Sequence, residues 1–175
     1  MVMIALNMDN STRELYMGLD CSSKAVHSVW IDNTERLVAQ CKWGSTKKNF
    51  EERFTDFGVD FWDSFSKIKV ILNEVVTVKA AVEAAIYIQN PKATIAIASV
   101  SGLVRFACFM NGFDCEFVDN TKWKRDILGK GNASKLEIKE FAISKWGGDS
   151  FPEQDFADAA CIALWKKRRN ENEKS

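Results

Sequence analysis

Three aspartates hold the positions in this sequence that could carry chemistry. Asp20 lies in Gly18-Leu19-Asp20-Cys21-Ser22-Ser23-Lys24, at the end of the apolar run Leu15 to Cys21. An acid among Met17, Leu19 and Cys21 is costly to bury unless paired or metal-bound, although a strand-edge acid facing water has the same pattern. Asp155 and Asp158 open the last long apolar segment, and their i, i+3 spacing puts both on one helix face. Acids near a helix N-terminus are also favoured by the macrodipole with no catalytic role at all. Carboxylates brought together repel one another, but they suit hard divalent cations such as Mg²⁺, which take oxygen ligands. Two such cations roughly 3.5–4 Å apart serve phosphodiester hydrolysis, one activating water and the other stabilising the leaving oxygen.

The elements that must position these acids follow from periodicity and turn residues. Leu15 to Cys21, Lys24 to Ile31 and Arg36 to Trp43 read as three strands joined by short turns, an antiparallel meander. Phe50, Phe54, Phe57, Phe61 and Phe65 recur every three or four positions and predict an amphipathic helix from Thr46, whose phenylalanine stripe is core. Gly58 need not break it, and helix continues to about Asn73. A strand follows from Val76 to about Ala84. Asn90-Pro91 is a helix start, with Asn as N-cap and Pro at the first position, and Asn111-Gly112 stops that helix after Met110. Cys115 to Val118 is a short strand. Helices follow over Thr121 to Leu128, Ser134 to Trp146 and Pro152 to Arg168. The order predicts an α/β layered domain with a mixed five-stranded sheet flanked by helices.

Composition narrows the class. The 175 residues are 46% hydrophobic and 11% aromatic, enough for one domain with a substantial core at about residues 15–166. No run of 18 or more apolar residues occurs, so no membrane helix is expected, and the start lacks a basic segment for a secretory signal. Five widely spaced cysteines, no CxxC pair and a single histidine, His27, argue against a zinc cluster and for a reducing, cytoplasmic location. Formal net charge is zero, unlike most nucleic-acid binders, yet Lys122, Lys124, Arg125, Lys130 and Lys135 form a basic run opposed only by Asp126. A solvated charged face explains such a run equally well. Residues 1–13 and the tail from Lys166 (KKRRNENEKS) read as peripheral, the tail as a solvated helix end.

Order and spacing together resemble the RuvC family of Holliday junction resolvases, which have the ribonuclease H-like fold. The resemblance runs from about Leu15 to Trp165. It rests on an early Gly-Leu-Asp strand and on Glu83 at a strand end followed seven residues later by Asn90. Gly102 falls twelve residues further on. Trp123 to Lys135 is similar to a Gly-x-Gly-x-Ala-x-Lys segment with basic residues before it, and the last helix carries Asp-x-x-Asp-Ala. The resemblance implies a crossover junction endonuclease that resolves Holliday junctions in DNA recombination and repair by paired nicking. Asp20, Glu83, Asp155 and Asp158 would be its catalytic and metal-binding acids, holding two Mg²⁺ or Mn²⁺ ions. Lys124, Arg125, Lys130 and Lys135 would meet the DNA, and Lys124 and Lys135 the scissile region. The partners would be branched DNA, above all four-way junctions, and a second copy docked through the Pro91 to Met110 helix, with Gly102 permitting close approach.

Glu74 also ends an apolar stretch, Val70-Ile71-Leu72, but choosing it leaves sixteen residues, many apolar, before Asn90; Glu83 is preferred. Bacterial members place an aromatic wedge three residues after the glutamate. Here that position is Ile86, with Tyr87 beside it, and either can insert at a base step. A broader nuclease acting on forks, flaps and Y-junctions is therefore the nearest alternative, and a junction-binding protein without catalysis the next. Gly18-Leu19-Asp20 with Ser22-Ser23 also resembles the first phosphate loop of actin-like kinases, which need two such domains.

Overall fold

The computed structural model describes residues 2–3, 14–72, 77–85 and 90–174. The predicted meander is β2 (Glu14–Cys21), β3 (Ala25–Asp32) and β4 (Leu37–Gly44), all antiparallel. Helix α1 (Phe50–Leu72) leads to β5 (Thr77–Glu83), which lies parallel to β2, and α2 (Pro91–Met110) leads to β6 (Asp114–Val118), parallel to β5. Helices α3 (Asn120–Leu128), α4 (Lys135–Trp146) and α5 (Gln154–Lys174) complete the chain. The sheet gains a sixth strand, β1 (Val2–Met3), paired with β4 in the segment expected to be peripheral, and its order is β1-β4-β3-β2-β5-β6.

Strand alternation divides the interior into two cores. Leu15, Met17 and Leu19 of β2, with Trp30, Val78, Ala80 and Val82, face α1 and α2. The phenylalanine stripe packs there: Trp43 lies 5.0 Å from the Phe61 ring and 5.7 Å from Phe65, and its indole N–H donates to Ser64 Oγ at 3.0 Å. Tyr16, Val29, Ile31 and Ala81 face the other layer, α3, α4 and α5. Gly18 and Asp20 share that second face by the period of two.

Helix α5 lies directly on β2. A Cβ built at Gly18 would sit 1.9 Å from the Ala159 carbonyl oxygen and 2.4 Å from the Ala163 nitrogen, so no side chain fits between strand and helix. The small residues Ala159, Ala160 and Ala163 are the helix's half of this contact, and all are fully buried. The helix also runs two turns beyond the expected end, because its tail is pinned. Lys79 Nζ donates to Asn170 Oδ1 at 2.6 Å, Asn170 donates to the Tyr16 hydroxyl at 3.0 Å, and Lys174 reaches Glu14 at 3.0 Å. Three partners on Glu14 hold its carboxyl down at about 2 against the opposing cost of burial. Lys166 and Lys167, expected in a solvated tail, are buried with their ammonium groups on Glu116 and Glu171.

Asn90 caps α2 by accepting from the amides of Lys92 and Ala93, as expected. With a mean hydropathy of 1.7, α2 is long and apolar enough to cross a membrane by length and composition alone; polar breaks at Thr94, Ser99 and Ser101 had hidden this. Its inner side, including Val100, Val104 and Cys108, packs into the first core. Its outer side leaves Ile95, Phe106, Phe109 and Met110 exposed.

The β2–α5 contact yields a direct test. Gly18→Val should destabilise the fold by about 3 kcal/mol or more, since the clash is with helix backbone that cannot rotate away. Chemical denaturation measures it; a cost under about 1 kcal/mol would show that α5 does not lie where it is placed.

Candidate active site

Asp20 ends β2 on the face that α5 covers. Because Gly18 lets that helix approach, the first turns of α5 bring Asp155 and Asp158 over Asp20. Ligand oxygens of the three lie within 4.8 Å of one another. Asp20 and Asp155 are partly buried and Asp158 is buried. Burial pushes the Asp20 carboxyl well above the usual range, and Glu83, Asp158 and Asp155 push it further by repulsion. Burial likewise raises Asp158 to about 6, although an accepted bond from Gln154 Nε2 at 3.2 Å pulls the other way. Three oxygen donors at one point, short of positive charge, make a site that fits a hard divalent cation.

Glu83 ends β5, one rung beyond the Leu19–Val82 pairing, and so stands beside Asp20. Its carboxylate is turned to α3: Asn120 Nδ2 donates to one oxygen at 2.6 Å and Trp123 Nε1 to the other at 2.8 Å. It lies outside the three-aspartate cluster yet close enough to raise Asp20. Glu74, the alternative acid, falls outside the described residues, as do Ile86 and Tyr87.

The basic residues divide. Lys135, the first residue of α4, is exposed and sits 3.7 Å from Asp155 Oδ1. Lys124 lies over the ring of Trp123, 5.5 Å from its centre, next to the indole that holds Glu83. Arg125 is exposed in the last turn of α3. Lys130 is engaged by Glu137, which also closes the α4 capping box with Ser134. Lys122 turns away and covers the Trp165 ring.

Several site residues escape sequence reasoning. Nothing in the sequence gives Asn120 or Trp123 a site role, and only the end of β6 beside β5 brings them to Glu83. His27 pairs with Asp20 across β2 and β3, is buried, and packs edge-on against Phe156 at 4.8 Å. Its Nε2 meets Glu153 at 3.2 Å and its Nδ1 faces Asp155 at 3.7 Å. Burial lowers its pKa despite both acids. The one available signal was its place in the strand after Asp20.

No protein-family model matches the chain. A crossover junction endodeoxyribonuclease RuvC from Brachyspira hyodysenteriae is 30% identical over 91 residues, 52% of this chain and 56% of that protein. The match thus spans little more than half the length of the curated relative. Among solved structures, Thermus thermophilus RuvC in complex with a Holliday junction substrate superposes with a TM-score of 0.70 at 18% identity, covering 90% of this chain and 96% of that one. The chain has the RuvC fold. The yeast mitochondrial Holliday junction resolvase shares it at a TM-score of 0.57 and 17% identity, over 94% of this chain and 81% of that one.

The raised acids give stability a pH dependence of known sign. Asp158 binds its proton more tightly folded than unfolded, so its contribution is full below about pH 4 and is lost as pH rises through about 6; Asp20, raised in the same direction, contributes with the same sign. Metal-free Asp158→Asn protein should therefore be more stable than the parent at pH 8, by on the order of 2 kcal/mol, and nearly equal to it at pH 4. Adding Mn²⁺ at pH 8 should raise the parent's melting temperature and not that of Asp20→Asn. Equal melting curves at both pH values would show that the carboxylates do not crowd one another.

Proposed function

We propose that this protein is a divalent-metal-dependent endonuclease that resolves Holliday junctions by nicking symmetry-related strands. The convergence of Asp20, Asp155 and Asp158 at the end of the central strand of a RuvC fold carries the reading. The curated relatives named as crossover junction endodeoxyribonucleases support it. Asp20, Asp155 and Asp158, with Glu83 beside them, would hold two Mg²⁺ or Mn²⁺ ions, which when bound supply an activated water and charge stabilisation at the leaving 3′-oxygen.

The chain's own residues do the rest. Each Glu83 oxygen accepts one bond from Asn120 or Trp123 and keeps a lone pair for a cation, so α3 orients the carboxylate without consuming it. Gln154 does the same for Asp158. Lys135 stands at the mouth, where a phosphate oxygen would compete with Asp155 for its ammonium group. Lys124 and Arg125 would contact the flanking backbone, positioning DNA without reading its sequence. Lys130 joins them only by leaving Glu137. Ile86 and Tyr87 are the proposed wedge into the junction.

Two sites on two strands require two copies. The exposed Ile95, Phe106, Phe109 and Met110 on α2 supply an apolar face for that pairing, and the space beside Gly102 is open for a second helix. A nuclease of this kind would act on DNA in the cytoplasm of a bacterial or phage-infected cell. The aliphatic Ile86 at the family's aromatic position favours a second reading, a nuclease with broader taste for branched DNA.

Cleavage of a labelled four-way junction, fork, flap and matched duplex with Mg²⁺ or Mn²⁺ tests the proposal. Paired nicks in the junction, abolished by Asp20→Asn with junction binding retained, are expected; full activity in that variant would refute the site. Asn120→Ala should lower activity roughly 10–100-fold, as loss of a ligand-orienting bond does. Equal rates on forks and flaps would establish the broader nuclease. Absence of cutting on every substrate would leave a binding protein.

A further inference from the structure

A second cationic feature stands at the same end of the sheet as the carboxylates, on the flank away from α3 and α4. It is a pocket of about 410 Å³ bounded by Lys24, Ser45, Thr46, Lys47, Lys48 and Arg53. Lys24 lies in the turn between β2 and β3, four residues after Asp20, and Ser45 to Lys48 follow the end of β4. Strands β4, β3 and β2 are neighbours in the sheet, so these segments leave it side by side. Asp20 is level with His27 and Lys42, so Ser45 lies two strand spacings across and three residues further along, on the order of 15 Å from Asp20.

The pocket is held in shape before any ligand arrives. Arg53, from the first turns of α1, donates through Nε to the Ser23 carbonyl at 3.0 Å and through Nη1 to the carbonyls of Lys47 and Lys48 at 3.0 and 2.6 Å. One guanidinium thus ties the β2–β3 turn to the β4–α1 loop. Ser45 adds an amide bond to the Lys24 carbonyl at 3.4 Å and a hydroxyl bond to Asp56 at 2.6 Å. The Ser22 hydroxyl accepts from the amides of Lys24 and Ala25, closing the turn.

Its cations are not neutralised from within. Lys24, Lys47 and Lys48 are exposed, and none forms an ion pair among the described residues. Several lysines elsewhere are engaged: Lys42 by Glu153, Lys130 by Glu137, Lys145 by Glu35 and Lys166 by Glu116. Three like charges with ordered backbone beneath them favour a polyanion, which releases its own counterions on binding.

We propose that Lys24, Lys47, Lys48 and Arg53 form a backbone-phosphate site for the DNA strand flanking the cut, on the opposite side of the carboxylates from residues 122–135. The proposal rests on the nuclease reading above and adds a binding surface to it. The acids on β2 and β5 then lie between two basic banks, one on the β3–β4 edge and one on α3 and α4, so a strand crossing the sheet end is held on both sides of its cleaved phosphate.

The salt dependence of junction binding decides the matter. Binding is followed by fluorescence anisotropy in an Asp20→Asn background, which prevents cutting, with and without Lys47→Gln/Lys48→Gln, from about 50 to 200 mM salt. If each lysine meets a phosphate, the slope of log K against log salt should shrink by about 2, at roughly 0.9 per contact. A control at the far end of the sheet, Lys67→Gln, removes one charge and should leave the slope nearly unchanged. An unchanged slope in the pocket variant overturns the site, and so does an equal loss per charge in the control, which would mean net charge alone. If the Asp20→Asn parent binds no branched DNA, the nuclease reading itself fails, a result distinct from either.

Discussion

Everything at the candidate site depends on one contact, the seating of α5 on β2 where Gly18 has no side chain. Backbone meets backbone there, Ala159 and Ala163 against the strand, at distances a single Cβ would forbid. The approach sets the height of the helix above the sheet. That height sets where Asp155 and Asp158 hang relative to Asp20, two residues further along the same strand face. The carboxylates converge because the packing is close, and the packing is close because the residues beneath are small.

The repulsion so created is held by the rest of the fold. Gathered with Asp155 within a few ångströms, Asp20 and Asp158 resist ionisation, as their raised carboxyls show. The opposing restraint comes from both ends of α5. Gln154 and the His27–Glu153–Lys42 chain steady its start. Asn170 and Lys174 bind its tail to Tyr16 and Glu14. A helix anchored at both ends cannot swing its acids apart, so charge relief must come from protons or from cations. That is a pre-organised oxygen cage, in which the cost of gathering the ligands has been met on folding.

The carboxylate centre is also asymmetric. On the α3 side, Asn120 and Trp123 hold Glu83, and Lys124 and Lys135 stand close by. On the β3–β4 side, the cations are set back on two loops that Arg53 joins. Placing positive charge on both flanks while keeping it out of the centre serves an anionic polymer that must cross a site already crowded with acids. A chain with zero net charge can present such banks because its charges are unevenly distributed, with acids such as Glu35 and Glu116 engaged in structural pairs.

The sequence by itself determined the local elements and their faces. The alternation in Leu15 to Cys21, the phenylalanine stripe of α1 and the Asn90-Pro91 cap are short-range patterns, and each was legible because strand, helix and cap have their own periods and end residues. So was the i, i+3 pairing of Asp155 and Asp158. Only the tertiary structure decided which acids meet, that Glu83 is held by Asn120 and Trp123, that Lys166 and Lys167 at the head of the tail are buried, and that Val2–Met3 adds a strand. It also brought Lys24 to Lys47 and Lys48, which lie more than twenty residues away in the sequence. The reason is physical. A periodic pattern reports what a residue does to its near neighbours, whereas a site is made where distant segments end side by side, and only the packing of helix on sheet fixes which ends those are.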